Sequence, residues 1–316
     1  MSAAGVYLKV LVTGGAGFIG SHTVDRLLEE GFEVVVLDSL RSGSIENIHT
    51  HLSNKRFRFV KGDIRDAAAV ARLVKEVDGI VHLAALVSVP ESLKDPALAQ
   101  EINVTGTVTL LEAACSSRVK RFVYASSCAV YGEAEHQPVK ETDPIKPISP
   151  YGLSKWEAEK HVNMCHEETG LETVCLRYFN VYGLRQAKSE YSGVITQFIS
   201  RVRENLSPII FGDGTQSRDF VHVYDVTEAN LLALTCSEAV GEIFNVGTGV
   251  ATSIRGLAEA LLRSTGKTCL GIVYADRREG DIRHSVADIS KIRMRLNYHP
   301  RVSLESGLRE LVGCDV

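Results

Sequence analysis

The chain has 316 residues, of which 45% are hydrophobic and 23% are charged, values typical of a protein that folds around one large or two smaller hydrophobic cores. Its formal net charge of -4 argues against nucleic acid as a partner, because nucleic-acid-binding surfaces are basic. No stretch reaches the roughly 18 consecutive apolar residues of a membrane-spanning helix. The first apolar strand begins so early that we expect no signal peptide.

The seven cysteines are odd in number and scattered, and no two have Cys-x-x-Cys spacing. This pattern predicts reduced thiols and a cytoplasmic location rather than a disulfide framework. His161, Cys165 and His166 share a predicted helix, but two or three ligands without a second cluster make a weak zinc site. We therefore expect no bound metal.

Residues Val6 to Val12 form an almost continuous apolar run, which predicts a strand buried on both faces of a parallel sheet. The run leads into Gly14, Gly17 and Gly20, a G-x-x-G-x-x-G pattern followed by a helical pattern that ends at Glu30. Between a strand and a helix, such glycines allow a tight turn, close approach of a pyrophosphate and close packing of helix on strand. The free N–H groups of the helix would then face the phosphates. In isolation the same glycines would form only a flexible loop.

A second apolar strand, from Glu33 to Leu37, ends at Asp38, which follows Gly20 by 18 positions. This is the place of the acidic residue that binds the adenosine ribose in dinucleotide-binding folds. A carboxylate there repels a 2′-phosphate, so Asp38 favours NAD over NADP. Arg41, three residues later, is the one feature that points towards NADP.

Strands and helices alternate as far as Tyr178. This pattern predicts an α/β fold with a doubly wound parallel (Rossmann) sheet, because βαβ units have right-handed crossovers and bind ligands at the carboxyl ends of their strands. Asp63-Ile64, Leu83-Ala84-Ala85 and Ser126-Ser127 fall at such ends. The predicted strands after the first two are 57–61, 79–83, 121–125 and 172–178, and the predicted helices are 67–77, 97–116 and one that begins at Tyr151.

Tyr151 and Lys155 lie four residues apart at the start of that last helix, directly after Pro150. Residues at i and i+4 share one face of a helix. A lysine ammonium there can lower the pKa of a phenol from about 10 towards neutrality, which would make the phenol a general base or acid. The pair by itself also fits an ordinary amphipathic helix.

After Tyr178 the pattern becomes less regular, and no linker rich in proline, glycine or serine marks a boundary. A helix from Tyr224 to Ser237 and a strand from Glu242 to Val246 look like further elements of the sheet. We expect a smaller interleaved lobe, with the active site in the cleft between lobes. The predicted division assigns residues 6–178 and 221–250 to the Rossmann domain and residues 179–220 and 251–316 to a lobe that binds a nucleotide sugar.

Six stretches combine into one pattern: Gly14-Gly15-Ala16-Gly17-Phe18-Ile19-Gly20, Ser126-Ser127, Tyr151-x-x-x-Lys155, Arg177-Tyr178-Phe179-Asn180, Gly212 to Phe220, and Arg278-Glu279-Gly280-Asp281. The pattern covers nearly the whole chain. It resembles the extended short-chain dehydrogenase/reductases, and among them the NAD-dependent 4-epimerases of UDP-glucose and UDP-N-acetylglucosamine.

This resemblance implies roles for individual residues. Tyr151 would be the catalytic base, Lys155 would bind the nicotinamide ribose and lower the tyrosine pKa, and Ser127 would bond the 4-oxygen of the sugar. Asp63 and Ile64 would meet the adenine. The implied cofactor-binding positions are Gly14, Gly17, Phe18, Ile19, Gly20, Asp38, Asp63, Ile64, Leu83, Ala84, Ala85, Asn103, Tyr151, Lys155 and Phe179.

The resemblance also implies a site for a UDP-sugar. Asn180, Arg218 and Arg278 would hold the diphosphate, the arginines through charge-assisted hydrogen bonds. Phe211 would pack near the uracil, and Asp281 would bind ribose hydroxyls. Apart from this substrate we expect no membrane or nucleic-acid partner, and the resemblance implies a homodimer.

Ser285 resembles the residue beside the hexose 2-position. Epimerases restricted to glucose and galactose tend to have tyrosine there, and a smaller residue leaves room for an N-acetyl group. We therefore expect UDP-N-acetylglucosamine to be accepted alongside UDP-glucose. The alternative is that Ser285 only begins a strand and that other residues close the pocket.

Cys128 and Ala129 occupy the positions where nucleotide-sugar 4,6-dehydratases need carboxylates, which argues against dehydration. A UDP-sugar decarboxylase would also need an acid after Ser127. Cys128 lies three residues before Tyr131, one more than the cysteine of 3,5-epimerases, so we interpret it as a packing residue. A UDP-sugar decarboxylase or a dehydrogenase of the same fold, and a non-catalytic NAD-sensing protein, stay open as alternatives.

Overall fold

The structure, a computed structural model, describes residues 8–186, 193–277 and 282–313. Its strands are β1 (Lys9–Thr13), β2 (Glu33–Asp38), β3 (Phe57–Lys61), β4 (Gly79–His82), β5 (Arg121–Ser127), β6 (Glu172–Tyr178), β7 (Asn180–Tyr182), β8 (Ile209–Phe211), β9 (Ser217–Arg218), β10 (Phe220–His222), β11 (Glu242–Val246), β12 (Thr252–Ser253), β13 (Val273–Ala275) and β14 (His284–Ser285). Its helices are α1 (Phe18–Glu29), α2 (Ala67–Val74), α3 (Val89–Lys94), α4 (Pro96–Gln100), α5 (Gly106–Cys115), α6 (Pro150–Thr169), α7 (Val194–Arg203), α8 (Val223–Thr235), α9 (Ile254–Ser264), α10 (Ser290–Leu296) and α11 (Leu304–Gly313).

Seven strands form one parallel sheet in the order β11-β6-β5-β4-β1-β2-β3. The prediction of a doubly wound parallel sheet is therefore confirmed. The strand order reverses between β1 and β4, and a crevice opens at the carboxyl ends of the strands at such a point. The ends of β1, β2, β4 and β5 all border this crevice.

Two hydrophobic clusters cover the two faces of the sheet. Val10 and Val12 of β1 join the cluster with Val24 of α1, whereas Leu11 joins the other cluster with Val70 of α2. This alternation explains the continuous apolar run, because neighbouring residues of a strand point to opposite faces and here both faces are buried. Each such side chain stabilises the fold by about 1.5–3 kcal/mol on burial.

The helix predicted for residues 97–116 is interrupted. A π-helical turn, Glu101–Thr105, separates α4 from α5. The turn contains the buried Asn103, whose amide oxygen accepts a hydrogen bond from the backbone N–H of Leu86 at 2.7 Å. The interruption therefore coincides with a contact to the loop after β4, in keeping with the frequent occurrence of π-turns near functional sites.

Helix α6 carries Tyr151 and Lys155. Ser149 caps it by accepting a hydrogen bond from the N–H of Gly152 at 3.1 Å, and Gly170 ends it with a φ of 74°. This agrees with the preference for serine before a helix and for glycine after one. Within the described ranges, α6 and the other helices lack the combination of length and apolar character that crossing a membrane requires.

A third hydrophobic cluster lies in the second half of the chain. It includes Phe198 of α7, Leu257 of α9 and Leu308 of α11. Ile292 and Tyr298, by contrast, pack in the first cluster of the sheet. The predicted two-part division of the chain stays a prediction, and these contacts show that residues after 286 serve both parts.

Candidate active site

The loop after β1 combines a left-handed glycine with close backbone packing. Gly14 has a φ of +70°, and a Cβ atom there would lie 2.7 Å from the backbone nitrogen of Ala84. A Cβ on Gly20 would overlap the carbonyl oxygen of Gly14. Helix α1 then begins at Phe18, and no side chain caps its first N–H groups. Those groups can hold a pyrophosphate.

Asp38 lies at the end of β2, and its side chain is 93% shielded from solvent, with 7% exposed. Its carboxylate accepts hydrogen bonds from the N–H groups of Ala16 at 2.9 Å and of Leu40 at 2.8 Å. It thus holds the glycine loop against the end of β2 and keeps lone pairs for ribose hydroxyls. Arg41 donates to Glu91 at 2.6 Å, and both side chains are exposed.

The loop after β4 is held by a buried polar chain. The ring of His82 lies 2.7 Å from the Thr13 hydroxyl on one side and 2.9 Å from the Thr107 hydroxyl on the other. Burial lowers the pKa of His82 to about 3, with the charge of Lys155 as a second cause. His82 is therefore neutral and serves to join β1, β4 and α5, which places Leu83, Ala84 and Ala85 beside the glycine loop.

The remaining predicted cofactor positions differ in what they contact. The amide nitrogen of Asn103 donates to Leu86 O at 3.0 Å and to Ser154 Oγ at 2.9 Å, so Asn103 joins the loop after β4 to α6. Ile64 is buried against Gly106. Asp63 is more exposed, and Arg65 donates to both of its oxygens at 3.0 and 2.7 Å, which lowers its pKa.

Tyr151, Ser127 and Cys128 form the centre of the site. The Ser127 side chain lies close enough to the phenol of Tyr151 to lower its pKa, and Cys128 lies close enough to raise it. Ser127 reaches this place because β5 ends there, and its Oγ accepts from the N–H of Ala129 at 3.2 Å. A phenol and an alcohol are thus held together at the carboxyl end of the sheet.

The expected lowering of the Tyr151 pKa by Lys155 is not seen in this structure. Burial raises the pKa of Tyr151 to about 12, and the Ser127 side chain opposes that rise only in part. The ammonium of Lys155 is directed elsewhere, since it donates to the carbonyl oxygen of Ala125 at 2.8 Å. Desolvation is therefore the dominant influence on the phenol.

Lys155 is itself almost fully buried, with 3% exposed. Burial lowers its pKa to about 7. In the described part of the chain no carboxylate forms an ion pair with it. Its ammonium has three donors, and the carbonyl of Ala125 accounts for one, so the group fits the hydroxyls of a nicotinamide ribose.

The base of α6 is anchored by a buried ion pair that sequence reasoning missed. Glu159 follows Tyr151 and Lys155 at the same four-residue spacing and lies on the same face. Its carboxylate accepts from Ser126 Oγ at 2.7 Å and from Arg177 at 3.1 and 2.5 Å. Burial lowers the pKa of Arg177, but the contacts with Glu159 raise it by more. The regular spacing from Tyr151 was the signal available in the sequence.

Ser285 lies near Ser127, with Cys128 between them. Burial raises the pKa of Cys128, and both Ser285 and Ser127 lie close enough to its thiol to oppose that rise. In the pairing of β14 with β9, Ser285 lies opposite Arg218. Arg218 is buried, and its guanidinium donates to Ser217 O at 2.8 Å. The predicted sugar residue Ser285 and the predicted diphosphate residue Arg218 are thus neighbours of each other and lie near Cys128.

Three further predicted positions are Asn180, Phe179 and Phe211. The buried Oδ1 of Asn180 has no hydrogen-bond partner among the residues that the structure describes, which is unusual for a buried amide and fits a residue that contacts a ligand. Phe179 is buried, and its ring centroid lies 6.5 Å from that of Tyr131. Phe211 is half-buried at the end of β8.

Asp219 was given no role from sequence, yet it holds three segments together. Its carboxylate accepts from the N–H and hydroxyl of Thr248 at 2.8 and 2.6 Å, from Gly249 N at 2.9 Å and from Ala287 N at 3.2 Å. It directly follows Arg218 and reaches the strand that carries Ser285. Burial raises its pKa, and these hydrogen bonds oppose the rise.

Arg278 and Asp281 lie outside the described residues. In the three described ranges no group of three or more histidine, cysteine or acidic residues could hold a metal ion. His166 bonds with Leu171 O at 2.8 Å, and Cys165 contacts Cys115.

The fold and the site together define an NAD-dependent enzyme of the extended short-chain dehydrogenase/reductase class. The features that define it are the parallel Rossmann sheet, the uncapped helix after the glycine loop, the acid at the end of β2, and the tyrosine–lysine pair beside a serine. A family model gives the same result at finer detail. The NAD dependent epimerase/dehydratase family matches residues 10–247, and the chain belongs to this family. Its cofactor is NAD.

Similar proteins cover almost the whole chain. UDP-glucose 4-epimerase of Mycolicibacterium smegmatis is 40% identical and covers 96% of this chain and 97% of its own. The structure of UDP-glucose 4-epimerase from Thermotoga maritima with UDP-glucose has a TM-score of 0.91, 40% identity and coverage of 97% and 98%. UDP-N-acetylglucosamine 4-epimerase from Methanobrevibacter ruminantium, in complex with UDP-N-acetylmuramic acid, has a TM-score of 0.91, 38% identity and coverage of 97% of each chain.

Proposed function

We propose that this protein catalyses the reversible C4 epimerisation of UDP-hexoses with bound NAD. The observation that carries the proposal is that the hydroxyls of Tyr151 and Ser127 lie close together. The residue that follows Ser127 is Cys128, whose side chain is a thiol. Elimination of water would need a carboxylate at this point, and Cys128 and Ala129 have none. The pair suits removal and return of a hydroxyl proton, which is what epimerisation through a ketone requires.

The roles of the residues follow from their positions. Ser127 would hold the 4-oxygen of the sugar, and Tyr151 would take the proton from it as a general base. Lys155 would hold the nicotinamide ribose with the donors that Ala125 leaves available. Asp38 would bind the adenosine ribose, and the start of α1 would bind the pyrophosphate. NAD supplies the two-electron oxidation at C4 and its reversal.

After oxidation the sugar has to present its other face. The substrate would stay bound through its diphosphate while the hexose turns. The diphosphate would be held by Arg218 and Asn180, and by Arg278, which lies outside the described residues. Asp219 supports this arrangement, because it joins the segment of Arg218 to the strand of Ser285. Tyr151 would then return the proton to the 4-oxygen, and the hydride would be supplied from the cofactor to the opposite face of C4.

We infer that an N-acetylated sugar also enters. Ser285 is a small residue, and both Ser285 and Ser127 lie near the thiol of Cys128. The similarity to a UDP-N-acetylglucosamine 4-epimerase supports this substrate range, and the similarity to UDP-glucose 4-epimerases supports the unmodified sugars. We also infer a homodimer, supported by Leu93 of α3 and by Leu153 and Met164 of α6, which are exposed large hydrophobic residues in the single chain.

The experiment is incubation of the purified protein with UDP-glucose, UDP-galactose and their N-acetyl forms, with the C4 configuration read by NMR. We expect an equilibrium mixture from either epimer, bound NAD in the denatured protein and no net release of NADH. Formation of a 4-keto-6-deoxy sugar from a nucleotide-glucose substrate would contradict the proposal and indicate a dehydratase. Stoichiometric NADH would indicate a dehydrogenase.

Tyr151→Phe is the matched test of the base. It removes one oxygen and should lower kcat by about 10²–10⁴-fold, while binding of UDP, measured by calorimetry, stays within about twofold. A variant that keeps more than about a tenth of the parent kcat would show that another group is the base.

A further inference from the structure

Two cysteines outside the active site lie almost within bonding distance. Cys115 is the last residue of α5 and Cys165 lies in the second half of α6, and their sulfur atoms are 2.7 Å apart across 50 positions of the chain. A disulfide bond measures about 2.0 Å, and non-bonded sulfur atoms do not normally come this close. Only a small displacement therefore separates the two thiols from a covalent bond.

The surroundings permit the reaction. In the single chain Cys115 is exposed and Cys165 is half-buried, so a small reagent reaches the sulfur of Cys115 more easily than that of Cys165. The hydroxyl of Thr169 is 3.5 Å from Cys115 Sγ and 3.6 Å from Cys165 Sγ. It can donate a hydrogen bond to whichever sulfur carries negative charge during the exchange.

We propose that Cys115 and Cys165 form a reversible intramolecular disulfide that joins α5 to α6. The oxidant is a low-molecular-weight disulfide such as glutathione disulfide. The thiolate of Cys115 attacks one of its sulfurs and releases one glutathione thiolate, which gives a mixed disulfide on Cys115. The thiolate of Cys165 then attacks Cys115 Sγ and releases the second glutathione. Two protein thiols lose two electrons and two protons, and one glutathione disulfide becomes two glutathione molecules.

The order of the two steps follows from the environment of each sulfur. Burial and the hydrogen bond with Cys115 together raise the pKa of Cys165 to about 11. Attack on a dissolved reagent depends on the thiolate fraction and on access. The raised pKa makes Cys165 a poor first nucleophile, and exposure favours Cys115. The second step is intramolecular, so proximity compensates for the small thiolate fraction of Cys165.

The bond should change stability and leave catalysis nearly unaffected. Cys165 follows Tyr151 by 14 residues on α6, which is roughly 21 Å along a helix axis at 1.5 Å per residue. Turnover should therefore change by less than about twofold. The cross-link closes a long loop in the unfolded chain, and we expect Tm to rise by roughly 5–10 °C.

The test uses the complete protein with its cofactor. Fully reduced protein is equilibrated with mixtures of reduced and oxidised glutathione, quenched with acid and analysed by non-reducing peptide mapping. We expect a peptide that contains Cys115 linked to Cys165, with the fraction rising as the mixture becomes more oxidising and reverting on addition of excess reductant. Mapping is needed because Cys314 lies outside the described residues.

Cys165→Ser should give a glutathione adduct on Cys115 and no cross-linked peptide, whereas Cys269→Ser, at another exposed cysteine, should cross-link like the parent. In the parent protein, three results would overturn the proposal: adducts on Cys115 without the linked peptide, bonds from either cysteine to a second chain, or thiols that stay unmodified under native conditions. Because this readout is covalent, it is independent of whether the protein epimerises sugars.

Discussion

The buried ion pair between Glu159 and Arg177 provides the sharpest test of how the catalytic helix is held. The two side chains are only 3% and 4% exposed. Glu159→Gln keeps the shape and one acceptor oxygen but removes the negative charge. Arg177 stays protonated, because a guanidinium is not deprotonated in proteins, and it would then be a buried cation without a counter-charge.

The expected loss in the free energy of unfolding is about 3–5 kcal/mol, the range observed when one member of a buried pair is removed. This is a large part of the roughly 5–15 kcal/mol that stabilises a typical protein. The remaining partners of Arg177, the hydroxyl of Tyr131 at 2.8 Å and the carbonyl of Glu141 at 3.0 Å, are dipoles and only partly replace a charge.

The assay is urea unfolding at pH 7, followed by circular dichroism. Glu135→Gln is the matched control, since Glu135 pairs with Lys146 at 2.7 Å but the side chains are 70% and 59% exposed. An exposed pair of this kind contributes about 0–1 kcal/mol, so the control should hardly change. A loss below about 1 kcal/mol for Glu159→Gln would show that the pair does not anchor α6.

Three further predictions concern the cofactor, the lysine and the sugar pocket. Gly14→Ala and Gly170→Ala each place a side chain at a left-handed position, with φ of +70° and +74°, at a cost of about 1–2 kcal/mol. Only the Cβ of Gly14→Ala meets backbone, 2.7 Å from Ala84 N. The amount of NAD recovered after denaturation should therefore fall for Gly14→Ala alone. Equal amounts of NAD in both variants would contradict the role of the glycine loop in binding the cofactor. The pKa of Lys155 is lowered from 10.5 to about 7, so the unfolded chain binds more protons between these values and stability should rise with pH in that window. In cofactor-free protein, the stability of the parent relative to Lys155→Met should increase by about 2–3 kcal/mol between pH 6 and pH 9, and a difference independent of pH would mean that Lys155 titrates normally. Ser285→Tyr should lower kcat/KM for UDP-N-acetylglucosamine by at least about 10-fold and spare UDP-galactose, with Ser285→Ala as the small control; equal losses on both sugars would refute the pocket assignment.

Local sequence was enough to predict the strands of the sheet and the glycine loop. Val10, Leu11 and Val12 form an unbroken apolar run because both faces of their strand are buried. A strand of this kind needs consecutive apolar residues, so its burial can be predicted from the sequence. Gly14 was recognisable because it occupies a left-handed turn packed directly on neighbouring backbone, and Gly20 because a Cβ there would overlap the carbonyl oxygen of Gly14. The position of Asp38 followed from the length of one strand–helix–strand unit.

Only the tertiary structure decided the contacts between distant segments. Glu159 meets Arg177 and Ser126 because β5 and β6 are neighbours in the sheet and α6 packs across them. In the sequence Glu159 is simply one more helix-favouring residue. The approach of Ser285 to Cys128 likewise depends on how the second half of the chain folds back over the end of β5.

The pKa values of Tyr151 and Lys155 show the same limit of prediction from sequence. The spacing of Tyr151 and Lys155 predicted a phenol of lowered pKa, because sequence reveals which charges are near. It does not reveal how completely each group is removed from water. In the structure, burial raises the pKa of Tyr151 and lowers that of Lys155, since desolvation disfavours the charged form of either group. The sequence determines which residues lie side by side on a helix. The dielectric around those residues is determined by the segments that pack against the helix, so only the tertiary structure reveals it.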